Sequence, residues 1–218
     1  MNAFSKKNGV FISFEGLDFS GKSTQIGLLT EYLSSQGIRF EIIREPGGTP
    51  ISERIRDILL DLKHEEMTDI CELFLYSAAR HQLVRQKIRT SLDDGVSVIA
   101  DRYVDSTTAY QGYGRQLPLS FIYQLNRIAT EDLIPDLTFF LDLTYDDMIL
   151  RKDLRLSGSD RLETQGREFF ERIRNGYLQI AESNRGRFKV INANQTVQQI
   201  SEEIREFVKA VLLSKIKI

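Results

Sequence analysis

Short apolar runs rich in β-branched and aromatic residues alternate along the chain with longer segments whose apolar residues recur at helical spacing. The short runs predict buried parallel strands at residues 10–14, 40–44, 96–100, 137–143 and 188–191. The longer segments predict helices at residues 23–35, 51–62, 68–91, 106–111, 119–130, 167–183 and 197–213. Because parallel strands need crossover connections, this alternation predicts an α/β fold, with a five-stranded parallel sheet between two layers of helices.

The composition narrows the kind of protein and its partners. A length of 218 residues fits one domain, which we expect to span residues 1–218, and 41% hydrophobic with 28% charged residues excludes a disordered chain. The 29 Lys and Arg residues nearly balance 31 Asp and Glu, so no overall basic field attracts nucleic acid or an anionic membrane. A single cysteine, the lack of an apolar leader and the lack of a run of about 18 apolar residues predict a cytoplasmic protein.

A glycine-rich phosphate loop follows the first predicted strand and opens the first predicted helix. The pattern G-x-x-x-x-G-K-S runs from Gly16 to Ser23, where backbone N–H groups and the helix N-terminus can surround an anion. Lys22 can reach the outer phosphates, and the Ser23 hydroxyl can bind Mg²⁺. The alternative is a glycine-rich turn capped by Ser20 or Ser23. The predicted nucleotide-binding residues are Gly16, Leu17, Asp18, Phe19, Ser20, Gly21, Lys22, Ser23 and Thr24.

A phosphate loop alone fits a switch GTPase, a motor or a kinase of small metabolites. The chain has no Asn-Lys-x-Asp segment for guanine, which argues against a switch GTPase, and a motor would usually be larger. A kinase needs a second anionic site that faces the first, with cations to cover the transferred phosphoryl group.

Charged residues follow two other predicted strands and supply candidates for that second site. Arg44 and Glu45 end one strand, and Asp101 and Arg102 end another, so all four lie at the sheet edge where α/β proteins bind ligands. Arg44 and Arg102 can hold a phosphate, Asp101 can support Mg²⁺, and Glu45 can hold a metal-bound water or orient an arginine. The alternatives are a charged strand end before a turn and an ion pair at a helix start.

Two further segments have weaker signals. Tyr76 and Arg80 lie four residues apart on a predicted helix, so a ring and a guanidinium share one face and can bind a nucleobase, although an aromatic residue at this spacing is more often part of a core. Arg151, Lys152, Arg155 and Arg161 form the densest cationic stretch, which indicates either a solvated helix or a lid that closes over phosphates.

These motifs together resemble the thymidylate kinase family. The matching segments occur in the family's order: residues 14–18 running into 21–24, then 44–49, 76–80, 101–103 with 106–112, 135–138 and 160–163. The resemblance implies a P-loop kinase fold like that of the nucleoside monophosphate kinases and transfer of the ATP γ-phosphoryl group to dTMP, with Mg²⁺, for dTTP synthesis. It also implies a homodimer.

The resemblance assigns roles around dTMP. Asp18 would contact the sugar hydroxyl and phosphate region, and Arg44 and Arg102, helped by Arg56, would hold the acceptor phosphate. Tyr76 would stack on thymine where the family usually has Phe, and Arg80 would donate to a thymine carbonyl. The remaining implied substrate residues, near the base and the deoxyribose, are Ser106, Thr107, Tyr110 and Gln111.

The resemblance also implies a metal set and a catalytic set. Ser23, Glu45 and Asp101 would support Mg²⁺. Because Phe19 and Ser20 stand where one form of the family has a catalytic arginine, the chain resembles the bacterial-type form with arginines in a lid, here about residues 149–163. The implied catalytic residues are Lys22, Arg102, Arg151 and Arg155, and the competing interpretations are a deoxynucleoside kinase, another nucleoside monophosphate kinase and a non-catalytic nucleotide-binding protein.

Overall fold

The computed structural model describes residues 9–154, 161–162 and 164–216. Five strands run in chain order: β1 (Phe11–Glu15), β2 (Phe40–Arg44), β3 (Ser97–Asp101), β4 (Leu137–Asp142) and β5 (Phe188–Asn192). The helices are α1 (Lys22–Ser35), α2 (Pro50–Leu60), α3 (Asp69–Leu83), α4 (Arg89–Asp93), α5 (Val104–Thr107), α6 (Leu119–Thr130), α7 (Tyr145–Asp153), α8 (Arg167–Ser183) and α9 (Val197–Ile216). Two π-helical segments, Val84–Ile88 and Thr108–Gly114, follow α3 and α5.

The five strands form one parallel sheet in the order β2-β3-β1-β4-β5. β1 lies in the centre, and its register pairs Phe14 with Asp101 of β3 and Glu15 with Phe140 of β4. Because all strands point the same way, the ends of β1, β2 and β3 meet at one edge. Their last residues, Glu15, Arg44 and Asp101, therefore lie at the same edge as the phosphate loop.

Apolar side chains alternate between the two faces of the sheet. Phe11 and Val98 belong to one buried cluster with residues of α3 and of the first π-helical segment. Ile12 and Ile99 belong to a second, larger cluster that contains residues of α1, α8 and α9. Burial of both faces explains why the three central strands, β1, β3 and β4, are mostly apolar, whereas the outer strands β2 and β5 also carry exposed residues. The predicted α/β fold with a five-stranded parallel sheet is confirmed.

Several predicted boundaries are wrong in instructive ways. β1 and β3 each begin and end one residue later than predicted, because their pairing includes the acidic residues Glu15 and Asp101. The helix predicted at 68–91 is α3, a π-helical segment and α4 in succession, and most of the helix predicted at 106–111 is π-helical. A π-helical turn holds one extra residue yet keeps an apolar face, so the spacing of apolar residues does not reveal it.

Within the described residues, no helix has the length and apolar character that would let it cross a membrane.

Candidate active site

The phosphate loop connects β1 to α1 in the geometry that its glycines permit. Gly16 has a φ of +139°, and a Cβ there would lie 2.7 Å from the Leu141 carbonyl oxygen. Gly21 (φ +98°) directly precedes α1, and no side chain of the described residues caps this helix, whereas threonines cap α2, α3 and α7. The Ser20 hydroxyl is buried without a hydrogen-bond partner among the described residues. The alternative of a turn capped by Ser20 or Ser23 is therefore wrong, and the first N–H groups of α1 have no side-chain acceptor among the described residues.

Lys22 lies across the phosphate loop. Its Nζ donates to the Leu17 carbonyl at 2.9 Å and to the Gly16 carbonyl at 3.3 Å. Burial and the nearby Arg102 guanidinium lower the pKa of Lys22 to about 8. The ammonium is thus poorly solvated and rests on neutral acceptors, which an anion can replace.

Arg102 joins the end of β3 to the phosphate loop. Its Nη1 donates to the Gly16 carbonyl at 2.8 Å and its Nη2 donates to Asp18 Oδ1 at 2.7 Å, while the guanidinium stacks 5.1 Å from the Tyr110 ring centroid. Although burial opposes it, Arg102 together with Lys22 lowers the pKa of Asp18, which keeps this carboxylate charged.

The pocket around the loop, here called the phosphate pocket, combines cations with oxygen ligands. Arg44 is half-exposed and paired with Glu53 at 2.9 Å, and Arg56 donates to the Pro46 carbonyl at 3.0 Å. The phosphate pocket is lined by Asp18, Phe19, Gly21, Lys22, Ser23, Thr24, Arg44, Glu45, Arg56, Asp101 and Arg102. The structure therefore brings together the predicted metal residues, the predicted phosphate-binding arginines and six of the nine predicted nucleotide-binding residues. Gly16, Leu17 and Ser20 are not among the residues that line this pocket.

A second pocket, here called the base pocket, adjoins the first. It is lined by Asp18, Glu45, Pro46, Arg56, Leu60, Tyr76, Arg80, Arg102, Ser106, Thr107, Tyr110, Gln111 and Leu162. All of the residues that the sequence predicted around the base and deoxyribose are in this set. Four residues line both pockets, namely Asp18, Glu45, Arg56 and Arg102.

Arg80 is buried in the wall of the base pocket. Its Nε donates to Glu45 Oε2 at 2.7 Å, its Nη1 to Thr107 Oγ1 at 2.7 Å and its Nη2 to the Tyr103 carbonyl at 3.1 Å. Burial raises the pKa of Glu45 although the Arg80 charge opposes the shift. Of the two roles predicted for Glu45, the structure bears out the orientation of an arginine. Arg80 occupies one carboxylate oxygen of Glu45, and the metal role of Glu45 stays a prediction.

The chain also resembles known proteins over nearly its whole length. The sequence profile of the thymidylate kinase family matches residues 14–204. Thymidylate kinase of Prosthecochloris aestuarii is 47% identical over 205 residues, which cover 90% of this chain and 92% of that protein. Thymidylate kinase of Symbiobacterium thermophilum is 45% identical over 93% of this chain and 94% of its own.

The chain belongs to the thymidylate kinase family.

A solved structure supports the family assignment in three dimensions. The crystal structure of thymidylate kinase from Ehrlichia chaffeensis matches with a TM-score of 0.74 and 34% identity, over 93% of this chain and 99% of that chain. The predicted family, P-loop kinase fold and thymidylate kinase function are confirmed over the deoxynucleoside kinase, other monophosphate kinase and non-catalytic alternatives.

The cationic stretch of this thymidylate kinase family member divides into parts with different surroundings. Arg151, on α7, donates to the carbonyls of Phe19 at 3.2 Å and Ala193 at 2.7 Å, so it links the phosphate loop to the segment after β5. Arg161 is buried and donates to Glu72 and to the Leu59 carbonyl. Arg155 lies outside the described residues, as do residues 156–160 and 163 of the segment predicted as a lid. The structure thus places Arg161 in a buried ion pair with Glu72, and the catalytic roles of Arg151 and Arg155 stay predictions.

Two buried carboxylates were missed by the sequence reasoning. Glu72 on α3 accepts hydrogen bonds from Gln111, Arg115 and Arg161, and despite the opposing effect of burial these donors lower its pKa. Glu15, the last residue of β1, has its pKa raised to about 7 by burial and by Asp105, against the Ser106 hydrogen bond and Arg102. A signal existed for both: Glu72 stands four residues before Tyr76 on one helix face, and Glu15 ends an apolar strand.

Proposed function

We propose that the chain transfers the γ-phosphoryl group of ATP to the phosphate of dTMP, with the donor in the phosphate pocket and the acceptor in the base pocket. The observation that carries this assignment is the shared wall between the pockets, where Asp18, Glu45, Arg56 and Arg102 line both. An acceptor phosphate held at Arg102 then lies next to the loop that holds the donor phosphates. This proximity converts a reaction of two substrates into one bound step.

The donor site uses backbone and side-chain donors together. The N-terminus of α1, which no described side chain caps, and the Lys22 ammonium would bind the β- and γ-phosphates. The Ser20 hydroxyl, which has no hydrogen-bond partner among the described residues, is a further donor. Mg²⁺ neutralises phosphate charge when bound. Among the described residues no group of three His, Cys, Asp or Glu side chains forms a closed metal site. The oxygen donors Ser23 and Asp101 nevertheless fit a hard cation that takes its remaining ligands from phosphates and water, with Glu45 as a further candidate.

The acceptor needs no side-chain base, because its phosphate is already a nucleophilic anion. A dTMP phosphate oxygen forms the new bond to the γ-phosphorus, and the bond from that phosphorus to the bridging oxygen of ATP breaks, which releases ADP. Arg102, with Arg44 and Arg56, would hold the acceptor phosphate, and Asp18 would accept from the sugar hydroxyl. Lid arginines, Arg151 or Arg155, would add positive charge as the phosphoryl group transfers.

The base pocket supplies specificity for thymine. Tyr76 would stack on the base, and Tyr110, close to Arg102, would lie against the deoxyribose. The Arg80 side chain has five N–H groups, and three of them donate to Glu45, Thr107 and the Tyr103 carbonyl. Among the described residues this leaves one N–H on each terminal nitrogen, and one of these would donate to a thymine carbonyl. Ser106, Thr107 and Gln111 complete the pocket wall.

We further propose a homodimer formed through α3 and α6, and a cytoplasmic location. Large apolar side chains lie exposed on these helices, including Ile70, Phe74 and Tyr123, and the Phe74 and Phe121 rings meet edge to face at 6.2 Å. A second copy of the chain would cover this surface. Sedimentation of the wild type and of Phe74→Glu tests this: we expect a dimer and a shift toward monomer, and a monomeric wild type would contradict it.

A coupled assay of ADP release tests the proposed reaction. With Mg²⁺ and ATP we expect turnover with dTMP, weaker turnover with dUMP and none with thymidine, which lacks the acceptor phosphate. Turnover with thymidine would overturn the assignment of the acceptor site. A preference for a purine monophosphate would overturn the assignment of the base pocket.

A further inference from the structure

Glu15 is a buried carboxylate that three donors surround. Its Oε1 accepts from the Tyr103 backbone N–H at 2.8 Å, and its Oε2 accepts from the Ser106 hydroxyl at 2.5 Å and the Tyr177 hydroxyl at 3.0 Å. The side chain is 0% exposed and comes directly before the phosphate loop. It therefore fastens β1 to the segment after β3 and to α8.

The segment that Glu15 fastens contains a strained residue. Arg102 has a φ of +70°, in the left-handed region that residues with a Cβ rarely adopt. The peptide groups on both sides of its Cα are tied to β1: the Arg102 N–H donates to the Phe14 carbonyl at 2.9 Å, and the next N–H, of Tyr103, donates to Glu15. A conformation of this kind persists only where its surroundings determine it.

With this backbone conformation, the Arg102 side chain lies at the junction of the two pockets. There its guanidinium donates to the Gly16 carbonyl, to Asp18 and, at 3.5 Å, to the Ser106 hydroxyl. Three of its four hydrogen-bond partners, counting the Phe14 carbonyl, therefore lie between residues 14 and 18. Loss of the tie at Tyr103 would let the backbone of Arg102 relax toward negative φ and would move the guanidinium.

We propose that Glu15 is a positioning residue that holds Arg102 in place for the acceptor phosphate. This inference rests on the proposed role of Arg102 in phosphate binding. It explains why a carboxylate is kept at the end of an apolar strand: its two oxygens accept three donors from two segments, the one after β3 and α8, and a carboxylate accepts charge-assisted hydrogen bonds that a neutral amide would make more weakly.

The test compares the dissociation constants of dTMP and thymidine, measured by calorimetry, because their ratio isolates the phosphate contact. In Arg102→Ala we expect the preference for dTMP to fall by about tenfold or more, the usual size of a lost charge-assisted contact. At pH 8, where the Glu15 carboxylate with its pKa of about 7 is mostly charged, we expect Glu15→Gln to lower this preference by about fivefold with thymidine affinity unchanged. In the double variant we expect no fall beyond that of Arg102→Ala.

The matched control is Asp136→Asn. Asp136 also accepts a hydrogen bond from a backbone N–H, that of Phe11 at 2.8 Å, and forms an ion pair with Lys215 at 2.8 Å. It lies directly before β4, at the opposite edge of the sheet from the two pockets. Its loss would lower the thermal midpoint without a change in the preference for dTMP.

The outcomes separate the two proposals. If Arg102→Ala keeps the preference for dTMP, the proposed acceptor site is wrong. If Arg102→Ala loses the preference while Glu15→Gln keeps it and only unfolds earlier, Glu15 has a purely structural role and the inference is overturned. Should Glu15→Gln fail to fold, Tyr177→Phe removes one donor from Glu15. An unchanged preference in that variant overturns the inference, and a reduced one supports it.

Discussion

The cations of the base pocket and those of the phosphate loop bind different kinds of acceptor. In the base pocket Arg80 is paired with the buried carboxylate of Glu45, and behind the pocket Arg115 and Arg161 are paired with Glu72. At the phosphate loop, Lys22 and Arg151 instead donate to backbone carbonyls. Arg102, at the junction, has one partner of each kind.

This difference separates a region whose cations already have charged partners, here called prebuilt, from a region whose cations can exchange neutral partners for a phosphate. A carboxylate holds an arginine with a full opposite charge, so the shape of the base pocket exists before the nucleotide arrives. A carbonyl carries only a partial charge, and a phosphate is a much stronger partner for the same cation. We therefore expect the cations of the phosphate loop to change partners on binding and Arg80 to keep its own.

The largest expected effect is the loss of turnover in Lys22→Ala. Removal of a cation that faces the transferred phosphoryl group should lower kcat by about two to three orders of magnitude. The thermal midpoint should hold or rise, because the buried ammonium is poorly solvated. The coupled ADP assay and thermal unfolding measure both effects.

The matched control for this variant is Lys189→Ala. Lys189 also donates to a backbone carbonyl, that of Arg185 at 2.9 Å, but it lies on β5 outside both pockets, so its loss should leave kcat unchanged. Comparable turnover in the Lys22 and Lys189 variants would contradict the role of Lys22.

The next effect concerns the prebuilt region. Arg80→Met leaves the buried Glu45 carboxylate without its cation, so the free energy of unfolding should fall by about 3 kcal/mol, as for other broken buried pairs. In Arg80→Met/Glu45→Leu most of that loss should be recovered, because both charges are gone. In both variants the affinity for thymidine should be lower than in the wild type. Urea unfolding with calorimetry measures this, and recovered thymidine binding in the double variant would show that Arg80 does not contact the base.

A smaller effect is the pH dependence of ATP binding. With a pKa of about 8, Lys22 in the free protein is partly uncharged at pH 8, and bound phosphates would raise that pKa. Binding of ATP should therefore take up a fraction of a proton near pH 8, and affinity should fall as the pH rises from 7 to 9. Calorimetry in buffers of different ionisation enthalpy measures the uptake. In Lys22→Arg the uptake should vanish, because arginine stays charged; equal uptake in this variant would assign the proton to another group.

The smallest effect tests the strain in the phosphate loop. Phe19 has a φ of +62°, so Phe19→Gly should be more stable than Phe19→Ala by about 1 kcal/mol, since both lack the ring and only glycine is free in this region. The same pair of substitutions at Ser34, inside α1, should show the opposite order. Urea unfolding of the four variants measures the difference, and a more stable alanine at position 19 would mean that the loop is not strained there.

The prebuilt region is also the one that was hardest to predict from the sequence. The phosphate loop is local, so one run of eight residues identified it, and strand ends located Arg44 and Asp101 because parallel strands finish at a common edge. The contact between Glu72 and Arg161 joins residues 89 positions apart, and no local spacing indicates it. Glu45 has two chemically reasonable roles in the sequence, and only the fold shows that it pairs with Arg80. The family resemblance supplied residue roles that neither periodicity nor charge could give.

The most direct test of the difference between the two regions is a crystal structure of the complex with ADP and dTMP. We predict that Lys22 Nζ leaves the Gly16 and Leu17 carbonyls for phosphate oxygens, while Arg80 keeps its bonds to Glu45 and Thr107. If Arg80 instead leaves Glu45 to reach the base, or Lys22 stays on its carbonyls with the nucleotide bound, the distinction between a prebuilt base pocket and a waiting phosphate loop is wrong.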